Sequence, residues 1–414
     1  MSDKIIFKNG NILNIATGEI LEGYDIYVEK DKIRDVVPQG SLTDNGYQEI
    51  DIRGKTVIPG LIDCHVHVLA SEANLGLNAL QPNAIVMYRA IPVLKAMLMR
   101  GFTTVRDAGG ADWSLARSVA LGLIKGPRIF ASGKALSQTG GHGDMRARGS
   151  LLLSEPCSCC FRAGAIARVV DGVDNVRLAV REEIQQGANQ IKIMASGGVA
   201  SPTDPIANTQ YSEAEIRAIV DEATAANTYV MAHAYTPRAI RRAVECGVRT
   251  IEHGNLADQQ TAELMAANNV FAVPTQVTYE MLARFGEEGG LSAESVAKIE
   301  DVREAGRKAI KYFDDAGVEM GFGSDLLGEM HQYQSHEFLI RAEILGNLKA
   351  LQSATTIAAK ILNMEGKLGC IKSGAIADIL VVDGNPADDI NLLVEGEKYI
   401  THIMQNGKLV KSDR

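Results

Sequence analysis

The chain has 414 residues, 46% hydrophobic and 22% charged, a balance that excludes a disordered or fibrous protein and leaves ample material for a core. Its formal net charge is −9, from 42 basic and 51 acidic residues with no long basic run, which argues against a nucleic-acid partner. No run of about 18 uninterrupted apolar residues occurs, so no membrane span is expected, and six cysteines are too few for a disulfide scaffold, which fits a reducing, cytoplasmic setting.

At about 150 residues per domain, the length allows two or three domains, or one large barrel with an accessory module. The first residues carry no basic stretch ahead of an apolar core, so no secretory signal is expected. Residues 1–60 read as β structure, with Val, Ile and Tyr runs punctuated by Asn-Gly, Lys-Asp-Lys and Gly. The middle alternates. Short apolar runs fall at 61–68, 102–109, 127–132, 190–196, 229–235, 250–254, 270–277 and 319–326.

Helical patterns lie between most of these runs. Ser212 with Glu215 forms a capping box, and Thr236 before Pro237 makes an N-cap with proline at the first helical position. Eight strand–helix repeats predict a (β/α)8 TIM barrel over 61–365, a fold of about 250 residues in its usual form. Residues 137–176 are the least regular stretch, rich in Gly, Ser, Arg and Cys, and read as a long loop over the active face. The last fifty residues return to β patterns, with a hairpin signal at Asn406-Gly407. Residues 1–60 and 366–414 are therefore expected to build one small β-sandwich domain from both termini.

Ionisable residues that interrupt apolar strands point to the chemistry. His65 and His67 lie two apart, so in a strand both rings face the same way, a bidentate metal arrangement. Lys192, His233, His253 and Asp325 each sit near the C-terminal end of another predicted strand. Burying one such group unpaired costs several kcal/mol, on the order of the whole margin of stability. A lone strand histidine is more often a core residue than a ligand. Six such groups on one rim need a shared partner, and a divalent metal supplies it. Imidazole and carboxylate suit zinc, with manganese, iron or cobalt as alternatives. An ammonium repels cations, but a deprotonated lysine that has taken up CO2 is an anionic carbamate able to bridge two metals.

This set resembles the amidohydrolase superfamily. His65-Val66-His67 after the first strand, Lys192 in the fourth, His233 in the fifth, His253 in the sixth and Asp325 in the eighth follow its metal motif. The segments VIPGLIDCHVH and SGAIADILVVDGNP are similar to those at the edges of its small β-sandwich. The resemblance implies that His65 and His67 bind the more buried metal and that carboxylated Lys192 bridges the pair. It further implies that His233 and His253 bind the second metal, and that Asp325 ligates and shuttles protons.

Residues 138–144, 190–199 and 231–237 are similar to the imidazolonepropionase-related dipeptidases, including prolidases and Xaa-Arg/Lys peptidases. That resemblance implies that His142 contacts the scissile carbonyl and that Tyr235 contacts the substrate carboxylate. Arg106, Arg128 and Arg146 are further candidates to grip a carboxylate.

The implied reaction is hydrolysis of a small dipeptide, Xaa-Pro foremost, by a hydroxide bridging two zinc ions, with Asp325 moving the proton. An Xaa-Arg/Lys dipeptidase, a lactonase or cyclic-amide hydrolase, and a catalytically silent scaffold are the alternatives. A deaminase loses ground because no Glu lies close to His233, where that branch of the superfamily keeps one. Barrels of this kind often form homo-oligomers. Cys157, Cys159 and Cys160 form a cluster without the second pair a zinc site needs, Cys64 and Cys246 read as buried thiols, and Met194 and Met231 as core or pocket wall.

Overall fold

A computed structural model describes residues 4–42, 46–146, 162–201, 204–290 and 293–413. The Cys157, Cys159 and Cys160 cluster lies outside the described residues. The chain divides into two compact units, one of residues 1–63, 95–104 and 335–414, the other of 64–94 and 105–334.

The first unit carries two sheets. One has four strands in the order Lys32–Pro38, Tyr24–Glu29, Lys4–Lys8, Gln48–Asp51. The other has six, in the order Lys408–Ser412, Ile400–Gln405, Ile379–Val382, Thr56–Pro59, Asn11–Leu13, Ile20–Leu21, so both ends of the sequence share it. Alternate residues of the strands point inward. Ile5, Phe7, Ile26 and Val28 of one sheet and Val57, Ile379, Val381 and Met404 of the other form one buried cluster. The hairpin signal is realised. Gln405 pairs with Lys408, and Asn406 and Gly407 take φ of 49° and 70°, the left-handed conformation a tight two-residue turn needs. The helices Glu337–Leu345, Asn347–Ser353 and Thr356–Ile361 also belong to this unit.

The second unit is an α/β structure built on parallel strands. Its six-stranded sheet runs Ala167–Val169, Ala135–Ser137, Ile191–Met194, Val230–Ala234, Thr250–His253, Phe271–Val273, with every recorded pair parallel. A separate three-stranded sheet consists of Leu61–Val66, Phe102–Asp107 and Arg128–Phe130, of which residues 61–63 and 102–104 belong to the first unit and the rest to the second. Helices alternate with the strands and bury one face each. Pro237–Glu245 buries Ala239, Ile240, Ala243 and Val244, and its N-cap Thr236 accepts from the Ala239 N–H. Glu213–Ala225 begins with the expected capping box of Ser212 and Glu215. Among the described residues no helix is long and apolar enough to cross a membrane.

Two departures from the sequence reading stand out. The irregular stretch hides a strand, Ala167–Val169, which pairs with Ala135–Ser137. Conversely, the run expected as the eighth strand forms no regular strand. It makes a single bridge, Met320 to Ala272. Its hydrogen bonds still reach both neighbours: Gly321 N–H to Ala272 O at 2.8 Å, and, on the other side, Cys64 N–H to Phe322 O at 2.7 Å and Asp325 N–H to His65 O at 2.8 Å. The cause is local. A Cβ at Gly323 would stand 2.7 Å from Val273 Cγ1 and 3.0 Å from His65 Cβ, so only glycine lets the chain pass this close. Asp325 then turns out of the extended conformation with φ of 50°.

Candidate active site

The strand register gathers the ionisable residues. Met194 pairs with His233, and Ala234 with His253, so three adjacent strands end at one level. In a regular strand Glu252 and His253 would face opposite sides. His253 instead has φ of 70°, and both residues reach His65: Glu252 Oε2 lies 2.7 Å from its Nδ1, and the His253 ring centroid is 4.8 Å from its own. Of the nine non-glycine residues with positive φ recorded in the chain, five are asparagines. His253 and Asp325 are the two exceptions at this rim, and local strain of this kind concentrates at functional sites.

His65, His67, Lys192, His233, His253 and Asp325 line one pocket of about 540 Å³, part of it open, together with His142 and Tyr235. The carboxylate of Asp325 sits among the imidazoles. Its Oδ1 is 3.3 Å from His67 Nε2 and 3.5 Å from His65 Nε2, and its Oδ2 is 3.9 Å from His253 Nδ1. The His233 ring lies 4.7 Å from that of His253.

The partners behind the rings set which nitrogen carries the proton. His67 Nδ1–H donates to Gly109 O at 2.9 Å, and His233 Nε2–H donates to Gly197 O at 3.1 Å, since a carbonyl only accepts. The Glu252 carboxylate fixes His65 in the same sense. A lone pair is thus left on Nε2 of His65 and on Nδ1 of His233, and on Nε2 of His67 whenever that ring is neutral and not donating to Asp325. Asp107 shapes the turn that presents the Gly109 carbonyl, accepting from the backbone N–H groups of Val68, Gly109 and Ala111 at 2.8 to 3.0 Å.

The electrostatics favour neutral imidazoles. Burial, reinforced by the Lys192 charge and neighbouring rings, holds His65 well below its ordinary pKa. Burial and the neighbouring His142 and His253 do the same for His233. Burial takes His253 down to about 3. His67 is the exception: burial opposes its charge, but the hydrogen bond and charge of Asp325 outweigh it and raise its pKa. Burial also opposes ionisation of Asp325, yet His67 and the surrounding positive charges hold its pKa below the usual range. Lys192 is fully buried, and that burial pushes it down to about 8.

This donor set fits a divalent ion. Two ligands on one tetrahedral zinc, each at about 2.0 Å, lie about 3.3 Å apart, the separation found between Asp325 Oδ1 and the two Nε2 atoms. Donor atoms of His65, His253 and Asp325 all fall within 4.8 Å of one another. The acceptors behind the rings are the outer contacts that ligating histidines usually have.

A family model described as "Amidohydrolase family" matches residues 56–410. The chain belongs to the amidohydrolase family. As such it is a hydrolytic enzyme acting on C–N bonds. Ochratoxinase from Aspergillus niger is 34% identical over 372 residues, 87% of this amidohydrolase and 76% of the relative. A prolidase solved in complex with N-methylphosphonate-L-proline is 63% identical with a TM-score of 0.96, covering 99% of this chain and 100% of that one. A Xaa-Pro dipeptidase with methionine bound in its active site is 30% identical with a TM-score of 0.87, covering 99% and 100%.

Other expectations fare differently in this amidohydrolase. Arg106 cannot grip a substrate carboxylate. It is fully buried and spends its donors on Cys64 O at 2.6 Å, Thr250 Oγ1 at 3.2 Å and both oxygens of Glu252 at 2.9 and 3.0 Å. Burial opposes its charge, and Glu252 more than offsets this and raises its pKa. Arg146 is engaged by Asp144, with Nε 2.7 Å from Oδ1. Arg128 does not line the pocket, and among the described residues no arginine does. Tyr235 does line it, with its hydroxyl 2.8 Å from that of Tyr279. Cys64 and Cys246 are buried thiols, Met194 is pocket wall and Met231 is core.

Sequence reasoning missed Glu252, Asp107 and Tyr279. Strand alternation pointed Glu252 away from its neighbour His253. Tyr279 carried a weak signal, one helical turn beyond Thr275, whose Oγ1 lies 2.8 Å from His253 Nδ1.

Proposed function

We propose that this amidohydrolase is a metal-dependent dipeptidase that cleaves Xaa-Pro. The observation that carries the reading is the convergence of His65, His67, Lys192, His233, His253 and Asp325 with His142 and Tyr235 on one pocket. The full-length likeness to a prolidase and to a Xaa-Pro dipeptidase supports the substrate class. An Xaa-Arg or Xaa-Lys substrate is disfavoured, because among the described lining residues the only carboxylate is Asp325.

His65, His67, His233, His253, Asp325 and a CO2-derived carbamate on Lys192 would hold two divalent ions, zinc foremost. Such ions supply a water that ionises near neutral pH and polarise the carbonyl under attack. The lowered pKa of Lys192 supports the carbamate, since only a neutral amine adds CO2.

The chain's own residues then complete the reaction. Asp325, ionised at neutral pH, accepts the proton of the attacking water and delivers it to the departing nitrogen as the C–N bond breaks. His142 meets the carbonyl oxygen and stabilises the charge that develops on it. The paired hydroxyls of Tyr235 and Tyr279 bind the dipeptide's carboxylate. Met194, Val199, Leu282 and Leu327 present apolar walls that keep out bulk water.

The wider reading includes a closed (β/α)8 barrel over 61–365 and a β-sandwich of 1–60 with 366–414, in a cytoplasmic homo-oligomer. The hydrogen bonds on both sides of residues 319–325 support closure.

The test is a panel of Xaa-Pro, Xaa-Arg and Xaa-Lys dipeptides beside lactones and cyclic amides, with zinc and bicarbonate supplied. Hydrolysis of Xaa-Pro with no turnover of lactones is the expected result. Inert Xaa-Pro beside active lactones or basic dipeptides would replace the reading.

A further inference from the structure

The loop after the strand Ile191–Met194 carries a buried carboxylate that the reaction above does not use. Asp204 is 1% exposed and, among the described residues, belongs to no metal cluster. Its Oδ1 accepts from the Ser201 hydroxyl. Its Oδ2 accepts from the Gly198 N–H at 3.2 Å and from Gln210 Nε2 at 3.1 Å. Gln210 Oε1 in turn accepts from the His142 N–H at 2.9 Å.

These bonds converge on the His142 ring. Ser201 Oγ lies 2.8 Å from His142 Nδ1, and Asp204 Oδ2 lies 3.4 Å from it. A carboxylate only accepts, so the Ser201 hydrogen is committed to Asp204 and Ser201 Oγ accepts from His142 Nδ1–H. That fixes the protonated nitrogen and the ring plane together. Two flat contacts complete the seat. The His233 ring stacks on His142 at 4.2 Å and 19°. A Cβ at Gly198 would come within 2.2 Å of His142 Cε1, so the backbone itself lies against the ring.

A single side chain ties the part of the loop around Ser201 and Asp204 at three points. Lys298, on the helix Ala293–Ala316, donates to the carbonyls of Gly198, Ser201 and Asp204 at 3.1, 3.2 and 3.1 Å. An ammonium has three N–H donors and no acceptor, and three carbonyls match them.

We propose that Asp204, acting through Ser201, is the positioning residue for His142, and that Lys298 clamps the loop that carries both. The inference rests on the reading of His142 as the group that meets the scissile carbonyl. A carboxylate that merely satisfied loop amides would act independently of His142. A positioning carboxylate acts only through it.

A double-mutant cycle separates the two, with the metal-loaded protein, an Xaa-Pro dipeptide, and metal content measured for every variant. Asp204→Asn is expected to lower kcat by up to about 10²-fold, the cost of a misplaced group at the reacting atoms, with KM and metal content little changed. In the His142→Ala background the same substitution is expected to cost nothing further. Ser201→Ala leaves the bonds of Asp204 to Gly198 and Gln210 intact and is expected to reproduce the kcat loss, which carries the test should Asp204→Asn fail to fold. Lys298→Met is expected to move kcat in the same direction.

Wild-type kcat in Asp204→Asn and Ser201→Ala would overturn the proposal. So would an Asp204→Asn loss that multiplies in full with that of His142→Ala. Wild-type turnover by His142→Ala alone would instead remove His142 from the reaction, a failure of the underlying reading that is told apart by that single variant.

Discussion

Glu252 holds two structures together, and Glu252→Gln should damage both in measurable and separable ways. The carboxylate and the Arg106 guanidinium are fully buried and meet through two N–H···O contacts at 2.9 and 3.0 Å. The amide is nearly isosteric but uncharged, so the guanidinium would be left buried without its counter-ion. Breaking a buried pair in this way costs about 3–5 kcal/mol, a large part of a total of about 5–15 kcal/mol. The same substitution removes the carboxylate that accepts from His65 Nδ1 at 2.7 Å and sets the ring. Loss of such a partner lowers metal affinity by about 10- to 100-fold.

Thermal unfolding reads the first effect, and equilibrium dialysis with metal analysis reads the second. A double variant, Arg106→Met with Glu252→Gln, removes the stranded charge. It should recover part of the unfolding temperature and none of the metal affinity. Wild-type melting and wild-type metal affinity in Glu252→Gln would refute the reasoning. So would metal affinity that recovers together with stability in the double variant.

Asp325→Asn should lower kcat by about 10²–10⁴, the usual contribution of a positioned acid–base group, while metal is retained; near-normal turnover would remove Asp325 from proton transfer. Tyr279→Phe takes away the hydroxyl 2.8 Å from that of Tyr235. A neutral hydrogen bond is worth about 0.5–1.5 kcal/mol, so KM for the dipeptide should rise by about 2- to 13-fold with kcat nearly unchanged, and a fall in kcat at constant KM would contradict carboxylate binding there. The chelated protein should lose stability as pH falls from 6.5 toward about 3. His253, taken down to about 3, binds a proton more readily when unfolded, and His65 and His233 are shifted in the same direction. His67, with its raised pKa, works the other way, contributing stability at low pH that is lost as pH rises through its folded value. Three groups outweigh one, so calorimetry of the chelated protein should show a midpoint that declines with acid; a flat profile would contradict it.

The sequence disclosed the site where chemistry and periodicity coincide. His65 and His67 were legible because two residues span one strand period, and Lys192 because a lysine inside an apolar run has no ordinary use there. Local signals also held: the Ser212–Glu215 capping box and the Asn406-Gly407 turn depend on neighbours alone. What stayed hidden depends on long-range contact. Arg106 and Glu252 are 146 positions apart, and nothing in either segment marks them as partners. Asp204 reads as an ordinary loop residue until its neighbour Ser201 meets His142, 59 positions earlier in the chain. The eighth strand was misread because Asp325 leaves the extended conformation that apolar periodicity assumes.

Metal content per chain tests the central claim most directly. For the protein expressed with zinc and bicarbonate, inductively coupled plasma mass spectrometry should find two divalent ions per chain, falling well below that in Lys192→Ala. No ion above the buffer background in the wild-type protein would contradict the account.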